Sequence, residues 1–215
     1  MCSSDLNNAM LFSRTGIPVT KIEDAFTHEL TVSATGQSSQ MRWTALKRLT
    51  GIKFKLIVGH QGTAEATLAM ERGEVDGVTI PWVVLRVARA DWIRDGKINL
   101  LLQSGLERAA DIQHVPRIID LGRTEEEKRI LALFCESDTV GRSFVLPPGA
   151  PADKVAEWRA AFAAMLTDAE FLNEVKTMQL ALDPLQGAAL QDFIIKSFDY
   201  PPELLDKAEA LARPE

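Results

Sequence analysis

From residue 29 onward the chain alternates between two hydrophobic patterns. Glu29-Leu30-Thr31-Val32-Ser33-Ala34 is β-rich and ends in the turn-forming Thr35-Gly36-Gln37. Ser38 and Ser39 then offer N-cap hydroxyls before residues 41–49, whose apolar positions Trp43, Leu46 and Leu49 fall at helical spacing, with Gly51 as the stop. A second strand is predicted over residues 54–58, followed at once by Gly59-His60-Gln61-Gly62-Thr63, a helix over 64–72 and a stop at Gly73. Residues 75–80 predict a third strand, Pro81 at a helix N1 position opens a helical stretch through Ile93, and residues 98–103 predict a fourth strand. This rhythm is that of right-handed βαβ crossovers around a parallel sheet, so the expected class is α/β. The short helices and abrupt glycine turns point to a compact lobe.

After Val115-Pro116 the pattern changes. Residues 125–136 predict a charged amphipathic helix, with Glu125, Glu126 and Glu127 in its first turn, where the helix dipole favours them. Ser143-Phe144-Val145-Leu146 predicts a short strand ending at Pro147-Pro148-Gly149. Beyond Pro151 the pattern is almost wholly helical. Trp158, Phe162 and Leu166 share one face, Phe171 and Val175 belong to a helix capped by Asp168, and further helices are predicted near 187–198 and 201–212. Trp92, Trp158 and Phe162 are assigned to packing, and Trp82, just past Pro81, to packing with the lining of a cleft as the alternative.

Composition narrows the function classes. The apolar share of 46% and charged share of 25% are those of an ordinary globular chain. A net charge of -6 argues against nucleic acid, which requires clustered cations, but local dipoles leave an anionic small ligand open. Cys2 and Cys135 lack metal-ligand spacing, and the apolar run around Cys135 predicts a buried thiol. His28, His60 and His114 are scattered, so neither a metal nor a cofactor is expected. Ser38, Ser39 and Ser104 lack a nucleophile-elbow context, so no catalytic residue is expected either. No window reaches the roughly 20 apolar residues of a membrane span. Residues 1–6 lack the basic and apolar regions of a secretory signal, so the protein is cytoplasmic or its natural beginning is missing.

Two strand-to-helix turns carry the strongest functional hint. Thr35, Gly36, Gln37, Ser38 and Ser39 form one, and His60, Gln61, Gly62 and Thr63 form the other, each at the C-terminal end of a predicted parallel strand. That edge is where open α/β sheets bind ligands. Both turns offer hydroxyls and amides at a helix N-terminus, a setting that favours a carboxylate. Asp76 is a candidate to hydrogen-bond these loops from the end of its own strand. The plainer reading is that the serines are N-caps and the glycines turn punctuation. Neither turn has the Gly-Lys-Ser/Thr ending of a phosphate loop.

Several segments, in this order, resemble the Bug-type (TctC-like) receptors of tripartite tricarboxylate transporters. They are Ser33-Ala34-Thr35-Gly36-Gln37-Ser38-Ser39, Gly59-His60-Gln61-Gly62-Thr63-Ala64-Glu65 and Met70-Glu71-Arg72-Gly73-Glu74-Val75-Asp76-Gly77, then Gly96-Lys97-Ile98-Asn99, His114-Val115-Pro116, Pro147-Pro148-Gly149-Ala150-Pro151 and Asp168-Ala169-Glu170-Phe171. The likeness runs over residues 29–213. It implies a two-lobed, type II periplasmic-binding-protein fold that closes over a small carboxylate and delivers it to membrane permease subunits. It also implies a periplasmic location for a chain that is not itself membrane-embedded. His60-Gln61 stands where the family usually has Tyr-Lys, so the loop's standing positive charge is gone unless His60 is protonated. The family's first lobe begins with a strand and a Pro/Gly-rich loop, and residues 1–28 are too few to hold them. The resulting expectation is an N-terminally truncated chain. Residues 1–28 would be a remnant of the first lobe, with Ala9 to Ser13 its last strand and 22–27 the crossover. Residues 29–140 would be the second ligand-binding lobe, and 141–215 a mostly helical segment returning to the first. Two other classes stay open: a small-carboxylate enzyme using His60, and the effector-sensing domain of a transcription regulator, which requires a DNA-binding motif that residues 1–28 do not contain.

Overall fold

The computed structural model describes residues 3–5, 8–140, 143–178, 182, 184–197 and 199–213. Its strands are β1 (Ser3–Asp5), β2 (Ala9–Arg14), β3 (Leu30–Ser33), β4 (Phe54–Ile57), β5 (Gly77–Pro81), β6 (Ile98–Gln103) and β7 (Pro184–Gln186). The helices are α1 (Gly36–Thr50), α2 (Thr63–Glu71), α3 (Trp82–Ala88), α4 (Ala90–Arg94), α5 (Glu125–Val140), α6 (Ala152–Met165), α7 (Ala169–Thr177), α8 (Gly187–Ser197) and α9 (Pro202–Ala212). The chain divides into two compact units, one of residues 8–136 with 200–215 and the other of residues 1–7 with 137–199.

The larger unit is built on a five-stranded mixed sheet in the order β4-β3-β5-β2-β6. β3 runs parallel to β4 and β5, whereas β2 is antiparallel to both of its neighbours, β5 and β6. Met10, Leu11 and Phe12 are fully buried, because this strand has core on both faces. Leu11 joins the layer of Leu30, Val32, Trp43, Leu46, Phe54 and Leu131, where Trp43 meets Phe54 edge-on at 5.9 Å. Met10 and Phe12 join the opposite layer of Ala66, Met70, Val78, Ile80, Leu85 and Trp92. Each such side chain contributes roughly 1.5–3 kcal/mol of burial. α9 returns to this unit: Leu204 and Ala208 pack with Ile130, and Arg48 Nη1 donates to the carbonyls of Ala210, Leu211 and Arg213 at the end of the helix.

Beyond β6 the chain is pinned by side chains. The buried Gln103 Nε2 donates to the carbonyls of Ile112 (3.0 Å) and Val115 (2.7 Å). Asp120 accepts from Arg117 Nη2 at 2.8 Å and from Arg108 Nη2 at 2.7 Å. Burial pushes the Asp120 carboxyl up, but the hydrogen bonds from Arg117 and Arg108 outweigh it and hold the pKa at about 2.

In the smaller unit β1 and β7 form an antiparallel ribbon against which α8 packs. Gly187 and Leu190 of α8 are buried, whereas α6 and α7 have no buried residue. Phe144 stacks obliquely on Phe162 at 5.9 Å.

Several expectations are corrected. Ala9 to Ser13 lie in β2, the fourth strand of this sheet, between β5 and β6, and residues 22–26 form a short 3-10 turn whose Ile22 and Ala25 enter its core. The compact units change at residues 8, 137 and 200. α1 begins at Gly36, so Ser38 and Ser39 lie within its first turn and Thr35 holds the N-cap position. Pro81 ends β5, and the helical stretch after it breaks at Arg89 (φ -135°) into α3 and α4. Residues 143–146 form no continuous strand: they hold a single bridge position, at Phe144, and Phe144 and Val145 are exposed. Trp158 is 51% exposed and is not a packing residue of this chain. Cys135 is buried as expected, while Cys2, Phe198 and residues 1, 2 and 6 of the N-terminal reading lie outside the described residues.

The Asp120 ties give a pH test. A carboxyl held near 2, below its usual 3.8, adds stability above pH 4 that is lost as the pH falls toward 2. Asp120→Asn is therefore expected to unfold at lower denaturant concentration than the parent at pH 7, with the gap closing between pH 4 and 2 in matched urea titrations.

Candidate functional site

The parallel strands β3 and β5 and the adjacent β4 all point their C-terminal ends at one edge of the larger unit's sheet, and antiparallel β2 begins there. Thr35, Gly36, Gln37, Ser38 and Ser39 leave β3 at this edge, and His60, Gln61, Gly62 and Thr63 leave β4 beside them. One hydrogen bond ties the two turns together: Ser33 Oγ, at the end of β3, lies 2.8 Å from His60 Nδ1. Ser33 is 1% exposed, so the imidazole is held from below by a buried hydroxyl. With Nδ1 engaged, the ring has Nε2 left for a ligand.

The two turns differ electrostatically. α1 starts with no acidic residue in its first turn and no side-chain cap from Thr35. The first N–H groups of a helix have no intrahelical carbonyl, so this end carries unopposed partial positive charge. α2 starts differently. Its first-turn Glu65 accepts the Gln61 N–H at 2.5 Å, placing one of the chain's own carboxylates at that helix end. Of the two turns expected to grip an anion, the α1 turn is open and the α2 turn is internally countered. Gly62 shapes the second turn: its φ of 113° and ψ of -176° lie in a region essentially reserved for glycine.

A third stretch joins the same edge. Asn8 accepts the Gly105 N–H at Oδ1 (2.9 Å), donates from Nδ2 to Gln103 Oε1 (2.9 Å), and its carbonyl accepts the Trp82 N–H (2.8 Å). Asn8 thus fastens the starts of the segments after β5 and β6. Nothing in the local pattern marks it, because its partners lie 74 to 99 positions away in the chain. Trp82 is buried, with Nε1 donating to Asp111 at 2.9 Å.

Asp76 is not at this edge. It immediately precedes β5, at the opposite end of the sheet, where Oδ1 accepts from Arg14 (2.8 Å) and Oδ2 from the Thr31 hydroxyl (2.7 Å). It clamps β2, β3 and β5 together at the edge remote from the turns. A depression of about 480 Å³ lies at that remote edge, lined by Arg14, Thr15, Met70, Glu71, Trp92, Lys97 and Ile98. Its cations already pair with Asp76 and Asp91, which leaves the polar lining balanced. His114 is exposed in a loop. Among the described residues no group of three or more His, Cys, Asp and Glu is placed to hold a metal, and no helix is long and apolar enough to cross a membrane.

No protein-family profile and no curated protein matches the chain. Solved structures do. A TctC solute binding protein from Polaromonas, without ligand, superposes with a TM-score of 0.65 at 18% identity, over 96% of this chain and 68% of that one. An R. palustris protein with adipate gives 0.61 at 15% identity, over 97% and 67%. The periplasmic binding protein BugD gives 0.57 at 16% identity, over 97% and 68%. The chain therefore has a periplasmic-binding-protein-like α/β fold and spans about two-thirds of the length of these proteins.

Gly62→Ala tests the shape of the second turn. The added methyl group meets no atom within 4 Å, so any loss comes from the backbone alone. A cost of about 1–3 kcal/mol is expected in chemical denaturation, and an unchanged midpoint would show that the turn can be redrawn.

Proposed function

We propose that this chain is the second ligand-binding lobe, with part of the first, of a Bug-type solute receptor that captures a small carboxylate and releases it unchanged to membrane permease subunits. The reading places the protein in the periplasm. The observation that carries it is the pair of turns on adjacent parallel strands, joined by the His60–Ser33 bond, with the uncapped, acid-free N-terminus of α1 open between Thr35 and Ser39. A carboxylate there would accept from the first amides of α1 and from the Ser38 hydroxyl, while His60 and Thr63 border it. The adipate in one structural neighbour is the same kind of ligand, which supports the assignment.

The His60–Ser33 pair also raises the enzyme reading, since a serine beside an imidazole is the start of a nucleophilic site. Ser33 is 1% exposed, however, so its oxygen has no path to a substrate carbonyl, and the pair serves as a clamp between turns. The carboxylate-binding reading keeps its explanatory lead.

The test is a titration of the ¹⁵N-labelled chain with adipate and with citrate into the millimolar range, following amide shifts. Shifts at Gly36, Gln37, Ser38 and His60 are expected, with both ligands unaltered after a day. Ser38→Ala should weaken binding by about 1 kcal/mol. Shifts confined to the Arg14–Lys97 edge, or turnover of either compound, would refute the reading.

A further inference from the structure

Among the described residues, three buried side-chain polar atoms lack a hydrogen-bond partner: Ser39 Oγ, Thr79 Oγ1 and Trp43 Nε1. Thr79 is 8% exposed and lies in β5, two residues before the ligand-facing edge. Its flanking residues Val78 and Ile80 point into the layer with Met70 and Trp92. By strand alternation Thr79 points the other way, toward the layer of α1, which also holds its register partner Leu11. Val32 pairs with Gly77 in parallel β3, so two residues further on Thr79 is level with Ala34, the residue just before the first turn. The hydroxyl therefore lies on the α1 side of the sheet, beneath the turn of Thr35 and Gly36. Ser39 stands in the first turn of α1 on that same side, one helical turn before the buried Trp43.

Ordinary packing does not account for this hydroxyl. A strand position facing an apolar layer is filled equally well by valine, which has the same shape and no polar atom to desolvate. Buried polar groups in native proteins nearly always find a partner, so one that the chain leaves unmatched calls for a partner from elsewhere. Ser39 repeats the pattern a few residues from the open helix end, where a ligand oxygen would arrive.

We propose that Thr79 and Ser39 form the inner end of the anion site, where their hydroxyls bond an oxygen of the bound carboxylate that the α1 amides alone would leave unmatched. This assignment rests on the carboxylate-receptor reading and adds two contacts to it. It selects ligands that bring a carboxylate oxygen to this depth over neutral apolar ones.

The experiment compares the parent chain with Thr79→Val, Thr79→Ser and Ser39→Ala, using adipate as the probe and amide shifts to obtain affinities. Thr79→Val is expected to weaken adipate binding about tenfold, equivalent to one lost hydrogen bond to a charged group. The thermal midpoint of the ligand-free chain should hold or rise, because an unmatched hydroxyl has been removed. Thr79→Ser should keep near-parental affinity, and Ser39→Ala should reproduce the loss in a side chain outside the sheet. Adipate affinity unchanged in Thr79→Val, with a raised midpoint, overturns the proposal while leaving the receptor reading intact. Equal losses in Thr79→Val and Thr79→Ser also overturn it, by showing that shape and not the hydroxyl matters. Failure of the parent chain to bind adipate or citrate removes both readings together.

Discussion

Everything at the edge that carries the two turns depends on one strand being buried from both sides. β2 places Leu11 in one layer and Met10 and Phe12 in the other, with β5 and β6 bonded along its two sides. Loss of that burial would separate β6 and the segment it anchors from the three parallel strands. The antiparallel direction matters as much as the burial. It brings Asn8, at the start of the strand, to the same edge as the turns after β3 and β4. The polar fastening of that edge is thus a by-product of how the hydrophobic centre is threaded.

The two ends of the sheet have opposite electrostatic character. At the remote end the charges are closed on one another: Arg14 with Asp76, and Lys97 with Asp91. At the end that carries the two turns, the first turn of α1 has no compensating acid, whereas the α2 side has Glu65. A chain with a net charge of -6 can still attract an anion if the local field is set by helix ends and amides. The asymmetry leaves one turn with open positive helix-end charge and gives the other a carboxylate of its own.

Much of this was legible in the residues. The alternating Leu30, Val32 and the run before Gly59 marked β3 and β4 because a half-buried strand imposes a period of two. The capping role of Asp168 was also readable, and its carboxylate does accept the Phe171 N–H. What stayed hidden was non-local. Residues 9–13 look like any buried strand, and their position between β5 and β6 follows from pairing that no local pattern encodes. Asp76 could have been placed correctly: an acid at the start of a parallel strand cannot reach the turns at its far end. Trp158 misled because aromatic residues at helical spacing signal a face that will be covered, without saying by what. The unmatched Thr79 hydroxyl is visible only when every neighbour is in place.

The second turn owes its path to glycine at both ends, Gly59 with φ 107° and Gly62 with φ 113°. The route of the backbone is therefore fixed by residues that contribute no side chain, while of the two positions between them His60 is tied to the buried Ser33 and Gln61 is exposed. Such a division favours evolvability: the side chain at position 61 can be exchanged while the backbone that carries it, and the tie at position 60, stay the same.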